Sequence, residues 1–412
     1  MKKFKILTLG CRTNQYESAA YADQLHKMGY APAKEDEEAD LCVLNTCTVT
    51  RSAEVRSKAK LRQLLSSNPK AKILVTGCMV EQSPDELKQE GLITIVPNKQ
   101  KEKLLQVAFP EEKHLPEFSI CNFEAHTRAF VKVQDGCNSF CSYCIIPYVR
   151  GRSRCRPITE VLVEVKNLLN NGYKEIVLTG INIGDYKDGD KNLADLIRAV
   201  DQMEGLKRLR VSSIDADEVD EDLAGAILQG KNTCPSMHIV LQSGSNVILK
   251  KMNRKYTRQI FFSIIEKLQK QRPDFTVTTD IIVGFPGESE TDFLDTLDAV
   301  KKVRFAKVHM FPYSPRERTK AFFFQDRVED KVIQERKSML LREAEKVSFD
   351  LRQEYVGTQR EVLLEQREGD YISGHTDNFL RVKIKHPFLR QNEIVSVFLK
   401  ENLEDGLLGE IL

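Results

Sequence analysis

The run QDGCNSFCSYCIIPYVRG, residues 134–151, carries three cysteines in the spacing Cys-x3-Cys-x2-Cys. They are Cys137, Cys141 and Cys144. Three thiolates can bind three irons of a [4Fe–4S] cluster and leave the fourth iron free to bind a substrate or cofactor. The alternative is a structural zinc site completed by Cys155 or by a distant His. The loop alone leaves both kinds of metal site open.

Length and composition favour a soluble protein of about two or three domains, because 412 residues exceed what one hydrophobic core usually serves. The net charge is only +2, so a nucleic-acid surface must be local. We find no apolar run of membrane-spanning length, and the stretch at residues 6–9 is too short for a signal peptide. We therefore expect a cytoplasmic protein with no membrane partner. There its ten cysteines stay reduced, and clustered ones are metal ligands or catalysts.

The first hundred residues alternate strand-like and helix-like segments, a pattern typical of a parallel α/β sheet. Strands are predicted at residues 4–9, 40–45, 72–76 and 92–96. Cys11 follows the first strand, Cys47 the second and Cys78 the third. The carboxyl ends of parallel strands share one edge, so we predict that these thiols converge as a second three-cysteine metal site. Three unrelated buried cysteines are the weaker interpretation.

A second α/β series follows a segment, residues 109–126, that has two prolines and no periodicity. Its strands are predicted at residues 129–134, 175–179, 208–212, 237–241, 276–283 and 307–311. Six successive βα units are consistent with an open (β/α)6 barrel, although periodicity alone does not distinguish it from a flat doubly wound sheet. In either fold the Cys137–Cys144 loop follows the first strand, at the face where ligands bind.

Glycines and small polar residues at the strand ends of this series predict a cofactor site. Glycine lets the backbone approach a ligand closely, and hydroxyl and amide groups can bind an amino acid or a ribose. The candidates are Thr179, Gly180, Asn182, Ser213, Gln242 and Gly284.

After a long helical segment at about residues 326–355, the sequence pattern changes from helical to strand-like. The last 57 residues form short alternating runs broken by Gly, Asp and Asn, which predict a small β-barrel or sandwich. We therefore divide the chain into an N-terminal cluster domain (1–108), a linker (109–126), a central core (127–355) and a C-terminal β domain (356–412).

Several motifs resemble those of one family. QDGCNSFCSYCIIPYVRG is similar to the signature of radical S-adenosylmethionine (SAM) enzymes, specifically the methylthiotransferases. LGCRTNQYES, NTCTV and VTGC resemble that family's N-terminal cluster domain, and LQSGSNVILKKMNRKYT its core motif. HMFPYSPRERT is similar to the sixth-strand segment, and YVGTQREVLLE and SGHTDNFLRVKI resemble the C-terminal TRAM domain. Two departures are Arg318, where Gly is usual before Thr319, and SSIDADE in place of an SSIEP-like run.

The resemblance covers essentially the whole chain and implies a reaction. A [4Fe–4S] cluster on the Cys137–Cys144 loop would bind SAM, and a 5′-deoxyadenosyl radical would take hydrogen from adenine C2. A second [4Fe–4S] cluster on Cys11, Cys47 and Cys78 would deliver the sulfur, methylated by a second SAM. No catalytic residue beyond the clusters is implied. An electron donor and a sulfur donor are expected, and the protein is expected to be a monomer.

This hypothesis leaves open which molecule accepts the methylthio group. LGCRTNQYES, LTGINIGDY and VSSID most resemble the branch that acts on N6-threonylcarbamoyladenosine at tRNA position 37. The alternatives within the family are N6-isopentenyladenosine in tRNA and an aspartate of a ribosomal protein. A non-catalytic iron–sulfur or zinc RNA-binding protein is the alternative from another class.

Two basic segments are candidate RNA surfaces. Arginines recur at every second position, which places them on one face of an extended segment beside the cluster loop, although a solvated basic loop is the alternative. They are Arg150, Arg152, Arg154 and Arg156. The tail from residue 356 carries 7 Lys and Arg against 10 Asp and Glu, a net charge of −3. One predicted strand face there still combines an aromatic ring with three cations, which suits RNA. Its residues are Phe379, Arg381, Lys383 and Lys385, with Leu380, Val382 and Ile384 facing the core.

Overall fold

The computed structural model describes residues 1–88, 93–123 and 126–412. Its N-terminal part is a parallel five-stranded sheet in the order β2-β1-β3-β4-β5. The strands are β1 (Lys3–Thr8), β2 (Ala31–Pro32), β3 (Leu41–Thr46), β4 (Lys72–Gly77) and β5 (Thr94–Ile95). The helices are α1 (Arg12–Lys27), α2 (Arg51–Ser67), α3 (Cys78–Gln82), α4 (Pro84–Lys88) and α5 (Leu104–Ala108), with a 3-10 turn at Asn98–Lys103. The predicted parallel sheet is confirmed; residue 92 of the fourth predicted strand lies outside the described residues.

The sheet forms because its central strands are apolar along their whole length. All six residues of β3 are buried, which requires helices on both faces, as in parallel sheets generally. Separate apolar clusters fill the two faces, one around Leu25 and Leu104 and the other around Leu61 and Leu64.

The central part contains six principal parallel strands in two sheets, β12-β9-β6 and β13-β14-β15-β16. The principal strands are β6 (Arg128–Lys132), β9 (Glu175–Thr179), β12 (Arg208–Val211), β14 (Ser236–Val240), β15 (Thr276–Val283) and β16 (Lys307–Pro312). Short strands are β7 (Gln134–Asp135), β8 (Arg154–Cys155), β10 (Lys187–Asp188), β11 (Lys191–Asn192) and β13 (Ile214–Asp215). The helices are α6 (Ile146–Val149), α7 (Ile158–Asn170), α8 (Leu193–Asp201), α9 (Glu221–Gln229), α10 (Asn246–Lys251), α11 (Arg258–Gln271), α12 (Glu290–Val303) and α13 (Asp330–Gln353).

These strands curve around one lumen. A single cavity is lined by residues from all six principal strands, which a flat sheet does not allow. A bridge between Leu209 and Thr233 links the two sheets, whereas β6 and β16 do not pair with each other. The open (β/α)6 barrel is therefore confirmed over the flat alternative.

The tail is a closed five-stranded barrel in the order β17-β18-β19-β21-β20. Its strands are β17 (Gln359–Glu368), β18 (Tyr371–Thr376), β19 (Arg381–Lys385), β20 (Ile394–Leu403) and β21 (Gly406–Ile411). The turn from Thr376 to Arg381 docks on the amino ends of the central strands, where Arg210 donates hydrogen bonds of 2.8 Å to the carbonyls of Thr376 and Asp377. The Oγ1 of Thr276 donates to the Asn378 carbonyl at 2.5 Å. This turn closes the floor of the central barrel.

Among the described residues, no helix is both long and apolar enough to cross a membrane.

Candidate functional site

The Cys137–Cys144 loop follows β6 and β7 at the carboxyl end of the central barrel. Gly136 starts the loop with φ +74°, and a Cβ there would collide with the carbonyl of Arg152. The amide of Cys137 donates to Gly151 at 3.1 Å, and the amide of Cys144 donates to Cys141 at 3.0 Å. Burial raises the pKa of the Cys144 thiol, and the neighbouring thiols of Cys141 and Cys137 raise it further. The loop thus gathers the three predicted thiols in one partly buried place.

The guanidinium of Arg254 contacts a thiol of this loop. The Nη1 of Arg254 donates to the Sγ of Cys141 at 3.0 Å, and its Nη2 is paired with Asp215 of β13. Burial raises the pKa of Cys141, and Arg254 opposes that rise by favouring the thiolate. The sequence did not predict Arg254 as a site residue. It lies in the run KKMNRKYT, which contains four cations and does not indicate which one faces the thiols.

The second triad lies where the sequence predicts, at the carboxyl ends of three neighbouring strands of the N-terminal sheet. Cys11 comes after β1, Cys47 after β3, and Cys78 directly after β4. A Cβ on Gly10 would lie 2.9 Å from the Sγ of Cys47. Burial raises the pKa of Cys47 to about 12, with further contributions from the thiols of Cys78 and Cys11. The three thiols are therefore neighbours at one edge of the sheet, and their role as metal ligands stays a prediction.

Neither triad is arranged around a point. Within residues 1–88, 93–123 and 126–412, no three His, Cys, Asp or Glu side chains are placed to bind one metal ion. A mononuclear zinc site needs such convergence. A cubane does not, because each thiolate binds a different iron. The zinc alternative gains no support from Cys155, whose Sγ accepts instead from the amide of Lys187 at 3.3 Å.

The two triads share an apolar wall. Cys78 and Cys137 are buried in one cluster with Ile145, Ile146 and Val149, and Cys144 packs against it. The wall joins α3 of the N-terminal sheet to α6 of the cluster loop. The side-chain Nδ2 of Asn98 also donates to the Val149 carbonyl at 2.7 Å, across the same boundary. The chain therefore brings Cys78 of the second triad and Cys137 of the cluster loop against one apolar wall.

A buried ionic network lies beside this wall. Lys101 and Glu17 of the N-terminal part pair at 2.6 Å, and both contact the central part through Lys132, Asp135 and Arg150. Burial alone would raise the pKa of Glu17, but Lys101, Arg150 and Lys132 outweigh it and lower the pKa to about 2. The network keeps its charges only because each is paired with several others.

Arg150 belongs to this network, so its predicted contact with RNA phosphate is wrong. Its side chain is fully buried. Its Nη1 donates to Asp135 at 2.9 Å and to Glu17 at 3.3 Å, and its Nε donates to the Sγ of Cys78 at 3.3 Å. Burial raises the pKa of Cys78, and Arg150 opposes that rise. Arg150 therefore connects the second triad to the start of the cluster loop.

The other arginines of this run do not share one face either. The segment turns at Gly151, with φ +82°, so it is not extended throughout. Arg156 is half-buried and pairs with Glu164 at 2.5 Å. Arg152 is exposed and stacks on the Phe140 ring, with Cζ 4.3 Å from the centroid. Arg154 is half-exposed and pairs with Asp135 at 3.0 Å.

The predicted strand face of the tail is partly observed. Leu380, Val382 and Ile384 are buried as expected. Phe379 is not on the strand: it has φ +65° in the preceding turn and lies under the guanidinium groups of Arg128 and Arg210. That position excludes the predicted role of Phe379 on an RNA-facing strand.

The cations of this face remain on strand β19. Arg381 and Lys383 both pair with Asp405, at 2.7 and 2.9 Å, while Lys385 is exposed at the strand end.

The strand-end residues predicted for a cofactor lie around the mouth of the barrel, with one correction. A Cβ at Gly284 would collide with Ile333 of α13, so the backbone here packs closely against that helix. The prediction that Gly284 makes room for a ligand is therefore wrong. Thr179 is buried at the end of β9, Gly180 packs against Gln134, and Ser213 is half-buried. The Nδ2 of Asn182 donates to Glu218 at 2.7 Å.

Within the part of the chain that the structure describes, two buried polar atoms at this mouth have no hydrogen-bond partner. They are the Oγ of Ser212 and the Oε1 of Gln242, and Gln242 is also held at φ +63°. Buried polar atoms are usually satisfied, and strained backbone concentrates at binding sites. These atoms fit a polar ligand bound across the strand ends.

Family models match two parts of the chain. Residues 3–96 match "Uncharacterized protein family UPF0004", and residues 131–300 match the "Radical SAM superfamily".

Curated relatives match along nearly the whole chain. "Threonylcarbamoyladenosine tRNA methylthiotransferase MtaB" of Chlamydia pneumoniae is 48% identical over 99% of this chain and 98% of its own. The protein of that name from Thermotoga maritima is 37% identical over 99% and 97%. A "tRNA-2-methylthio-N(6)-dimethylallyladenosine synthase" of Alkaliphilus oremlandii is 35% identical over 100% and 93%.

Solved structures are similar in fold alone. The radical S-adenosylmethionine methyltransferase TsrM from Kitasatospora setae, bound to tryptophan and a SAM analog, has a TM-score of 0.60 at 12% identity. The alignment covers 84% of this chain and 89% of TsrM. The cobalamin-dependent S-adenosylmethionine radical enzyme OxsB has a TM-score of 0.53 at 11% identity, covering 83% of this chain and 56% of OxsB.

Proposed function

The chain belongs to the radical SAM tRNA methylthiotransferase family, and we propose that it adds a methylthio group to C2 of N6-threonylcarbamoyladenosine at position 37 of tRNA. The observation that carries this acceptor is the whole-length match to the Chlamydia relative, which is clearly stronger than the match to the relative named for dimethylallyladenosine.

The Cys137–Cys144 loop fits a [4Fe–4S] cluster with one open iron. It offers three thiols in one loop, and its cation Arg254 favours the thiolate form of Cys141. When bound, the cluster and SAM supply the one-electron chemistry needed to replace an unactivated aromatic hydrogen, which no side-chain acid or base can remove. Gly136 fixes the loop, and Asp215 orients Arg254 toward it.

The mouth of the barrel fits SAM. Thr179, Gly180, Asn182, Ser213 and Gln242 surround it, and the unpaired Oε1 of Gln242 is available to an amino or hydroxyl group. Gly284 acts here through its packing against α13 and not through ligand contact.

The triad of Cys11, Cys47 and Cys78 would hold the second [4Fe–4S] cluster, from which sulfur is delivered. Arg150 supports this role because a buried guanidinium beside Cys78 compensates the negative charge that metal-binding thiolates bring. A reductant and a sulfur donor must come from outside the chain, and the chain acts as a monomer.

The anticodon region of the tRNA would bind across Arg152, Arg154 and the cations of β19. Arg152 and Arg154 lie beside the cluster loop, and Arg381, Lys383 and Lys385 lie on the tail. Contacts of this kind position a nucleic acid by its phosphates.

The test is anaerobic reconstitution followed by reaction with anticodon stem-loop RNA. Iron analysis should give about eight irons per chain, as two four-iron clusters require. Parallel reactions contain RNA carrying N6-threonylcarbamoyladenosine, RNA carrying N6-isopentenyladenosine, or a ribosomal protein as acceptor. Mass spectrometry of the digested products reads out the methylthio group.

We expect the product on N6-threonylcarbamoyladenosine together with reductive formation of 5′-deoxyadenosine. Product on isopentenyl RNA or on the protein alone would replace the proposed acceptor while leaving the reaction type intact. Zinc without iron, or no SAM cleavage, would favour the non-catalytic alternative and overturn the enzyme assignment.

A further inference from the structure

The lumen of the central barrel contains a small cavity below the cluster loop. It has a volume of about 40 Å³ and is closed at its floor by Phe379 of the tail. One ordered water needs about 10–15 Å³ on the same measure, so the cavity has room for about three small heavy atoms. It can therefore hold a carboxylate group but not a nucleoside.

The lining of this cavity is cationic. Three arginines and two histidines line it, and no Asp or Glu is among the lining residues. The basic members are Arg12, Arg128, Arg210, His238 and His309. A cavity with this lining offers hydrogen-bond donors to an anion and lacks carboxylates that would repel one.

Two of the three arginines are already neutralised. Arg128 pairs with Glu365 at 3.1 Å, and Arg210 pairs with Glu175 at 2.7 Å. Both also lie over the Phe379 ring. These two side chains form part of the floor, where the tail docks.

Arg12 differs from both. It lies over the Phe130 ring, with Cζ 5.6 Å from the centroid, and among the described residues its guanidinium has no hydrogen bond or ion pair. Asp280, whose charge reaches Arg12 through space, pairs with His238 at 3.4 Å. A half-buried guanidinium without a bound acceptor is costly unless an anionic ligand supplies one.

We propose that Arg12 binds the carboxylate of the threonylcarbamoyl group and thereby selects the acceptor nucleoside, an inference that rests on the proposed function. C2 and C6, the ring carbon that carries N6, flank N1 on one edge of adenine, and their outward bonds diverge. The base can therefore present C2 to the cluster loop while its N6 substituent points down into the lumen. A dimethylallyl group has no charge to offer Arg12. The residue directly follows Cys11, so acceptor binding and the second triad meet at one turn of chain.

The test compares two stem-loop RNAs that differ in one functional group. One carries N6-threonylcarbamoyladenosine, and the other carries its carboxamide, which has the same size and phosphates without the carboxylate charge. For each RNA, kcat/KM is measured with the reconstituted enzyme and Kd by fluorescence anisotropy. The wild type should prefer the carboxylate RNA by about 10- to 100-fold, as expected for a charge-assisted hydrogen bond in a desolvated site.

Arg12→Gln should remove this preference by weakening the carboxylate RNA about 10- to 100-fold, with less than about a threefold effect on the carboxamide RNA. Arg12→Lys should restore part of it. Arg198→Gln is the matched control, because it removes the same charge from a guanidinium that lies outside the cavity and is paired with Asp222 at 2.5 Å. It should retain the preference.

The ratio of kcat/KM between the two RNAs separates this role of Arg12 from damage to the nearby Cys11 site, because loss of a cluster lowers kcat/KM for both RNAs equally. Iron content and SAM cleavage without RNA monitor that damage, and the Kd ratio remains measurable if turnover is lost. The proposal is overturned if Arg12→Gln leaves the ratio between the two RNAs unchanged. If that happens because both reactions fall equally, Arg12 is assigned to phosphate or SAM. Failure of the wild type to modify the carboxylate RNA would instead overturn the proposed function itself.

Discussion

Replacing Arg150 by methionine tests whether the buried ionic network holds the two cysteine triads together. The substitution keeps the volume of the side chain but removes its hydrogen bonds to Asp135 and Glu17. Breaking a buried ion pair typically costs about 3–5 kcal/mol because an uncompensated charge remains. Here Glu17 keeps Lys101 at 2.6 Å, and Asp135 keeps Lys101 and Arg154. We therefore expect a loss at the lower end of that range, about 3 kcal/mol.

Arg154→Met is the matched control. Arg154 contacts the same Asp135 at 3.0 Å, nearly the distance from Arg150, but its side chain is 45% exposed. Exposed ion pairs contribute about 0–1 kcal/mol, so this variant should lose less than about 1 kcal/mol. Urea unfolding of the cluster-free, reduced proteins, followed by circular dichroism, measures both. An Asp135→Asn background should shrink the Arg150→Met effect, because the two residues are coupled.

The same variant has a chemical readout. The side chain of Arg150 donates to the thiol of Cys78, whereas among the described residues it contacts none of the three thiols of the cluster loop, so Arg150→Met should reconstitute with fewer irons while retaining SAM cleavage. Equal losses of stability in Arg150→Met and Arg154→Met would refute the reasoning from burial. Full iron content with full methylthio product would refute the link to the second triad.

Four further outcomes are expected. Cys141→Ala should abolish 5′-deoxyadenosine formation, whereas Cys47→Ala should retain it and lose sulfur transfer; full methylthio product from Cys47→Ala would contradict the second cluster. Gly136→Ala, whose new Cβ meets the Arg152 carbonyl, should lower iron binding by the cluster loop, and a fully loaded variant would show that the loop can shift. Burial, with help from Asp215, raises the pKa of Glu218 to about 7, so the folded state loses stability as pH rises from about 4.5 to 7. Glu218→Gln lacks this dependence and should gain up to about 3 kcal/mol over the wild type between pH 5 and pH 8 in urea unfolding, and a pH-independent difference would exclude the shift.

The strands were predictable from the sequence because each is a short apolar run between polar turns. β3, β4, β9 and β15 lie within a residue or two of their predicted bounds. The two-residue strands β2 and β7 carry no such signal, since they exist only through pairing with distant neighbours. The gathering of Cys11, Cys47 and Cys78 was also predictable, because it follows from the geometry of parallel strands alone.

Side-chain partners were not predictable in the same way. Arg150 has the spacing of a phosphate-binding run, but its partners Asn14 and Glu17 lie 136 and 133 residues away in sequence. Phe379 alternates correctly with the core residues after it, yet its positive φ places it in a turn that the central barrel buries. Both errors arise where one domain covers another, and local spacing contains no information about such contacts.

The docking of the tail changes how a truncated protein would behave. Arg208 and Arg210 of β12 donate to carbonyl oxygens of the tail, and Phe379 closes the lumen from below. Deleting the last 57 residues to remove the proposed RNA surface would also remove four backbone acceptors from two buried guanidinium groups and let water into the barrel. A truncated enzyme would then lose chemistry as well as affinity. The tail thus combines the proposed RNA surface with the closure of the barrel floor, so point substitutions on its outer face are the cleaner way to separate the two roles.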